Sequence, residues 1–372
     1  MPLQARPPPF IAMPTLYPSR TSQKLKSVAL VGSGVAGLAR IRDTHEASIL
    51  SFHGLCEGMG TDRVLDWSLH LPLEIFRRVC AFLASNYSVV SLQSVVDRLK
   101  AGEKLEPNSV VLTFDDGYAS NYHLAWPVLR EFNLPATIFV ATGFLDGTEP
   151  MWFQRLDLAL GTSAKPLLDW KSPHGKDRLP LGTREKRQMA LGRLLPELKR
   201  MPDEDMLGEI DRIEQALGVE PPAVGALPEP MRPMTWPQVR ELAATGLIEI
   251  GGHTHTHPVL SRCRPEAMRG EIFTCHERLR QELGRAPKLF CFPNGGQADY
   301  TAETIALLQE AGFEAACTLR NGRVDQGSSL MELPRYGSPE SVWEAEATVS
   351  GAFEAVKAWR KSARNSLWNF LP

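Results

Sequence analysis

The chain has 372 residues, 41 Lys and Arg against 43 Asp and Glu for a formal net charge of -2, and 43% hydrophobic residues. This balance excludes a general nucleic-acid binder, which needs clustered cations to neutralise phosphates, and it excludes disorder of the whole chain. No uninterrupted apolar run reaches the roughly 18 to 20 residues of a membrane-spanning helix.

The first segment, MPLQARPPPF, is rich in proline, so residues 1 to about 25 are expected as a loosely ordered arm. It lacks the charged, apolar and small-residue regions of a secretory signal, and the expected location is cytoplasmic. Next comes VALVGSGVAGLARI at 28–41, with a GxGxxG spacing at Gly32, Gly34 and Gly37. That spacing alone is weak evidence for a dinucleotide loop between strand and helix; the alternative is a short apolar helix that packs on the domain or lies on a membrane surface. A nicotinamide site would want an acidic ribose partner after the next strand, and that strand ends in His53 instead.

From residue 47 the pattern alternates. ASILSF, SVVLTF, PATIFVAT, GLIEIGG, KLFCFP and FEAACTL read as buried strands. LPLEIFRRVCAFLASNY, YHLAWPVLREFN, PEAMRGEIFTCHERLRQELG and TAETIALLQEAG have helical periodicity between them. Alternation over this length predicts an α/β fold with a mainly parallel sheet, open or closed as a barrel. Residues 150 to about 232 break the rhythm: they carry charged helical stretches and a Pro-rich exit, with no convincing strand. They are expected to form a helical insertion near the site. The six cysteines are irregularly spaced without a CxxC pair, which predicts reduced, mostly buried thiols.

Three tracts carry chemistry. In SVVLTFDDGYASNY an apolar strand runs into Asp115 and Asp116; adjacent carboxylates there are costly to desolvate unless paired, but Asp-Asp-Gly is also an ordinary solvated turn. In EIGGHTHTHPVLS a strand is followed by His253, His255 and His257. A helical or turned backbone lets the outer two meet one metal, whereas a continuing strand would put all three on one face. Two imidazoles with one carboxylate form the open three-ligand site of hydrolytic zinc; Asp116 is then the third ligand and Asp115 is free to act on the water. In KLFCFPNGG the turn after the strand could aim N–H groups at an anion, or simply end the strand.

Taken in order, TFDDG, HTHTHP and FCFPNG resemble the motifs of the polysaccharide deacetylase family (the NodB-homology or carbohydrate esterase 4 group). LPATIFVATGFL and MTWPQVRELAATGLIEIGGHT flank them in similar fashion. The resemblance covers roughly residues 47 to 340 and implies a distorted (β/α) barrel with an incomplete repeat. The GxGxxG segment then lies outside the catalytic domain as an N-terminal apolar helix. The implied division is an arm and short helix at 1–46, a catalytic domain at 47–345 with its insertion at about 150–232, and a helical tail at 346–372.

The resemblance also implies roles. Asp116, His253 and His257 would hold a divalent metal, most commonly zinc, with cobalt, nickel or manganese also suited to the donor set. Asp115 would be the general base, and the backbone N–H of Asn294 would donate to the oxyanion. His255 is not a ligand in this pattern. Family members often carry an Arg in the third motif that orients the base; this chain has Cys291 there, and Arg335 in ELPRYG is the candidate substitute. Others supply the general acid from a late His; none follows Arg335, and ILSFHG resembles the branch in which that motif is shifted to the first strand, making His53 the acid. The expected function is de-N-acetylation of sugars in a polysaccharide or its precursor. Alternatives are an O-acetyl esterase or small-amide hydrolase on the same fold, a non-catalytic carbohydrate-binding relative and, remotely, an oxidoreductase. A carbohydrate is the expected partner; nucleic acid is not, and the apolar helix leaves room for a peripheral membrane contact.

Overall fold

A computed structural model describes residues 19–41, 45–58, 63–172 and 175–357. The chain opens with helices α1 (Ser19–Gly32) and α2 (Val35–Ile41), broken at Ser33 and Gly34, whose φ of 80° suits glycine. The GxGxxG spacing is thus a helix–helix break, with α1 where a dinucleotide loop would need a strand. The arm expected to run to about residue 25 gives way to helix at Ser19; residues 1–18 lie outside the described part.

Strand β1 (Ala47–Phe52) leads through the short parallel pair β2 (Gly54–Cys56) and β3 (His70–Pro72) into helix α3 (Leu73–Asn86). Then come β4 (Ser88–Val89), α4 (Leu92–Ala101), β5 (Ser109–Phe114), α5 (Trp126–Glu131), β6 (Ala136–Val140) and α6 (Thr142–Leu145). The insertion comprises α7 (Trp152–Thr162), β7 (Leu167–Ser172), β8 (Gly175–Pro180), α8 (Arg184–Leu198) and α9 (Asp203–Leu217). The barrel resumes with α10 (Trp236–Ala244), β9 (Ile248–Gly252), α11 (Pro265–Leu283), β10 (Leu289–Cys291), α12 (Ala302–Ala311), β11 (Ala315–Cys317), β12 (Tyr336–Gly337) and α13 (Val342–Val349).

The eight-stranded sheet has the order β11-β10-β9-β6-β5-β1-β12, with β4 paired on β5, and every pairing is parallel. Its strands β1, β5 and β6 are buried on both faces, as parallel strands under helices are. The sheet curls into a distorted (β/α) barrel, and the segment 333–337 touches both of its edges. Leu333 bridges Cys317 beside β11, while Tyr336 pairs with Leu50 of β1. Arg335 therefore sits in the closing seam.

Side-chain alternation decides what faces inward. On β5, Val110, Leu112 and Phe114 pack with α3 and α5, and Phe52 meets Phe76 of α3 edge-on at 5.3 Å. Val111 and Thr113 turn the other way, as do Ile49 and Ser51 on β1 and Phe139 on β6. The register Ser51↔Thr113 and Phe52↔Phe114 carries His53 and Asp115, the next residues, to one level at the strand ends. Gly251 is required on β9, because a Cβ there would lie 2.6 Å from Phe139 and 2.7 Å from the Leu289 carbonyl.

The structure departs from the expected division in two respects. The insertion does contain strands: β7 and β8 form an antiparallel hairpin in which Leu168 and Trp170 point into the insertion's own core, while Asp169 and Lys171 face water. The division at 345/346 cuts α13, which is anchored to the body: Tyr87 donates to Glu346 at 2.6 Å and Ser48 donates to the Val349 carbonyl. Residues 358–372 of the expected tail lie outside the described part. All six cysteines are free thiols, five of them buried. Among the described residues no helix is long and apolar enough to cross a membrane.

The insertion clamps the strand-connecting loop beside the site. Asp157 on α7 accepts from the N–H groups of Leu65 and Asp66, and Arg184 and Gln188 on α8 donate to the carbonyls of Val64 and Leu65. Burial pushes the Asp157 carboxyl up to about 7 against the lowering effect of those two N–H donors. An acid raised in the folded state binds its proton more tightly there, so stability falls as pH rises from about 4 through about 7. Replacing Asp157 by Asn should flatten the Tm-against-pH profile in that window, a comparison made by thermal melts of both proteins.

Candidate active site

The three tracts meet at the carboxyl ends of β1, β5, β9 and β10. Asp115 is the first residue beyond β5, and its N–H donates to the Phe52 carbonyl of β1 at 2.9 Å. Asp116 follows with φ 75°, in left-handed backbone, so the two adjacent carboxylates swing apart and serve different partners. Gly117 continues the turn at φ 84°.

Asp115 is 2% exposed and belongs to Arg335, which is fully buried. Arg335 Nη1 donates to Oδ1 at 2.8 Å and Nη2 to Oδ2 at 2.7 Å, a two-pronged charge-assisted contact. The guanidinium is itself fixed by the Thr318 carbonyl and Thr113 Oγ1. Burial raises the Asp115 carboxyl, but the Arg335 charge and hydrogen bonds prevail and hold it at about 2. It is therefore ionised at neutral pH, and Oδ2 also faces His53 Nε2 at 3.9 Å. His53 is 23% exposed, and its backbone carbonyl accepts from Asn121 Nδ2.

After β9 the strand stops. Thr254 and His257 both take φ 65°, the Thr254 hydroxyl accepts from the His257 N–H, and the backbone folds back on itself. His253 and His257 Nε2 then converge on Asp116 Oδ1 at 3.4 and 3.3 Å. Neither contact is a hydrogen bond, and Asp116 Oδ1 is buried without a hydrogen-bonding partner. His253 Nδ1 sits 2.7 Å from the Cys291 carbonyl; donating there leaves the Nε2 lone pair turned toward Asp116. Burial lowers His257 below the ordinary imidazole value, which favours the neutral, ligating form. A buried carboxylate oxygen with no donor, faced by two imidazoles, fits a divalent cation. One atom from each of the three residues lies within 4.8 Å of the others. Asp115, His253 and Cys291 form a second close group, but Arg335 already occupies Asp115, and burial pushes the Cys291 thiol up, away from the thiolate a metal takes.

His255 turns away from this cluster: its Nδ1 is 2.9 Å from Thr142 Oγ1. On the turn after β10, Asn294 has φ 62°, and its N–H has no acceptor among the described residues. Cys291, where an arginine was sought, lies with its Sγ 2.8 Å from Arg335 Nη2. The guanidinium thus arrives beside that position from the seam.

Several residues of the site carry no local sequence signal. Glu271 on α11 accepts from the N–H groups of His255 and Thr256 and from the Thr256 hydroxyl, holding the histidine loop in its folded-back form. His70 is buried 5.3 Å from the Tyr118 ring, and burial lowers it to about 4. Phe153, from the insertion, meets the His257 ring edge-on at 5.3 Å. Each belongs to a segment whose sequence reads simply as helix or strand; only folding brings it to the histidines.

Comparison with known proteins agrees with this architecture. The polysaccharide deacetylase family model matches residues 102–161 and 222–316, passing over most of the insertion. YxkH of Bacillus subtilis, whose name places it among polysaccharide deacetylases, is 32% identical over 93 residues, 25% of this chain and 30% of that one. The poly-beta-1,6-N-acetyl-D-glucosamine N-deacetylase of Escherichia coli K12 is 41% identical over 61 residues, 16% of this chain and 9% of that one. The chain thus spans less than a third of the length of either relative. Among solved structures, the Streptococcus pyogenes deacetylase PplD superposes with a TM-score of 0.54 at 17% identity, over 82% of this chain and 98% of its own. IcaB from Ammonifex degensii superposes at 0.53 and 18% identity, over 83% and 98%. Both likenesses establish the fold. With its parallel barrel and the motifs at the strand ends, the chain belongs to the polysaccharide deacetylase family.

Proposed function

We propose that the protein is a metal-dependent de-N-acetylase acting on N-acetylated sugars of a polysaccharide or its precursor. The observation that carries this reading is the pairing of two carboxylates with opposite surroundings at one strand end: Asp116 faces two imidazoles, and Asp115 is ionised in the fork of Arg335. Asp116, His253 and His257 would hold the metal, and the donor set suits zinc. A metal there supplies Lewis acidity, acidifying a water and polarising a carbonyl.

The chain's own residues do the rest. Asp115 takes the proton of the attacking water, and the Arg335 fork keeps its carboxylate aimed and charged. The Asn294 N–H donates to the carbonyl oxygen as negative charge develops there. His53 gives a proton to the departing amine, without which an amide does not release its nitrogen. The N-deacetylase named among the relatives supports an N-acetylglucosamine polymer as the substrate.

Metal analysis tests the ligand set. The purified protein should hold about one divalent ion per chain, and His257→Ala should lose it while keeping its fold by circular dichroism, because structural and catalytic ligation are separable in a preformed open site. A wild-type protein that binds no divalent ion, even after refilling, would overturn the reading.

A further inference from the structure

Between β11 and β12 the chain forms two arms, 320–322 and 328–334, that border an open cavity of about 300 Å³. Arg320, Asn321, Gly322, Ser329, Glu332 and Pro334 line it. The arms are tied together: the Arg335 N–H donates to the Arg320 carbonyl at 3.0 Å, and a Cβ on Gly322 would lie 3.1 Å from Pro334. Glu332 Oε1 accepts from Arg320 Nη1 at 3.1 Å and from the Tyr300 hydroxyl at 2.8 Å.

Both arms adjoin the active site. Leu319, next to Arg320, donates its N–H to the Gly295 carbonyl at 2.8 Å. A Cβ on Gly295 would lie 2.7 Å from the Leu319 nitrogen, so the turn that carries Asn294 rests directly on the start of the first arm. The second arm ends at Pro334, and the next residue is Arg335, whose fork holds Asp115.

The lining sets the class of ligand. Its one cation and one anion, Arg320 and Glu332, already face each other, which leaves no net charge for an ionic group. The Asn321 amide and the Ser329 hydroxyl are exposed and make no hydrogen bond among the described residues. Together they offer donors and acceptors. An apolar ligand would strip water from them without replacing it. Sugar hydroxyls and acetamides replace those bonds, and the volume lies at the lower end of pockets that hold small ligands.

We propose that this cavity is a second sugar site, which takes another uncharged unit of the polymer whose acetamide is presented to Asp115. The proposal rests on the deacetylase reading. The cavity touches no reacting atom, so its loss acts on binding.

The test uses wild-type, Ser329→Trp and Asn321→Ala holoenzymes with N-acetylglucosamine oligomers from dimer to pentamer. In the wild type KM should fall as the oligomer lengthens, because longer chains reach the second site. Ser329→Trp fills the cavity and should raise the pentamer KM about tenfold with kcat within about twofold, so that the dependence on length disappears. Asn321→Ala adds no bulk and should raise it about threefold, the scale of one neutral hydrogen bond. A wild-type KM independent of length, or a dependence that survives in Ser329→Trp, would overturn the proposal. Equilibrium binding of the pentamer is measured alongside. If the wild type binds it without releasing acetate, the deacetylase reading fails by itself. The second site then stands on a Kd about tenfold weaker in Ser329→Trp and falls on an equal one. A wild type that does not bind the pentamer removes the second site as well.

Discussion

Replacing Asp115 by Asn should lower kcat on an N-acetylated oligosaccharide by about 10²- to 10⁴-fold, the range expected for loss of a positioned general base. The metal content stays that of the wild type, because Asp115 stands outside the group of Asp116, His253 and His257. The asparagine carbonyl can keep one of the two Arg335 bonds, so the variant folds, with a lower Tm. Steady-state turnover and metal analysis on one preparation check both halves. Undiminished turnover would remove Asp115 as the base, and lost metal would move it into the ligand set.

Replacing Arg335 by Leu produces the second large effect, on stability as well as rate. Asp115 and Arg335 are 2% and 0% exposed. Removing the guanidinium leaves a buried carboxylate without its countercharge, which costs about 3 to 5 kcal/mol where such pairs have been broken. The lost contacts to the Thr318 carbonyl and Thr113 also loosen the seam that joins β11 to β1. The double variant Asp115→Asn with Arg335→Leu should recover part of that stability, since no unpaired charge remains, yet stay inactive. Urea melts of the two single variants and the double variant read the coupling. Additive losses would mean that the two side chains do not depend on each other.

The strands could be read from sequence because each is a short apolar run closed by a turn, and parallel strands under helices leave that imprint at every position. The candidate site carries a similar imprint: Asp115 and His253 each follow such a run directly, and Asp116 and His257 come soon after them. The hairpin β7–β8 escaped because its outward residues are charged and its apolar ones few, which reads as one more solvated helical stretch. The GxGxxG spacing is a case of residues without context, since the flanking segments are helical on both sides. Arg335 could be guessed only by elimination. Its partner lies 220 residues earlier, and the contact exists because the 333–337 segment closes the barrel.

Acetate and primary amine released from N-acetylglucosamine oligomers, assayed with the holoenzyme, after chelation and after refilling with a divalent metal, decide the chemistry. The proposed hydrolysis of the acetamide at this site should give the two products in equal amounts, stop on chelation and return with metal. Acetate released from O-acetylated sugars but not from these oligomers would identify an O-deacetylase, and release that survives complete removal of the metal would contradict the assignment of Asp116, His253 and His257.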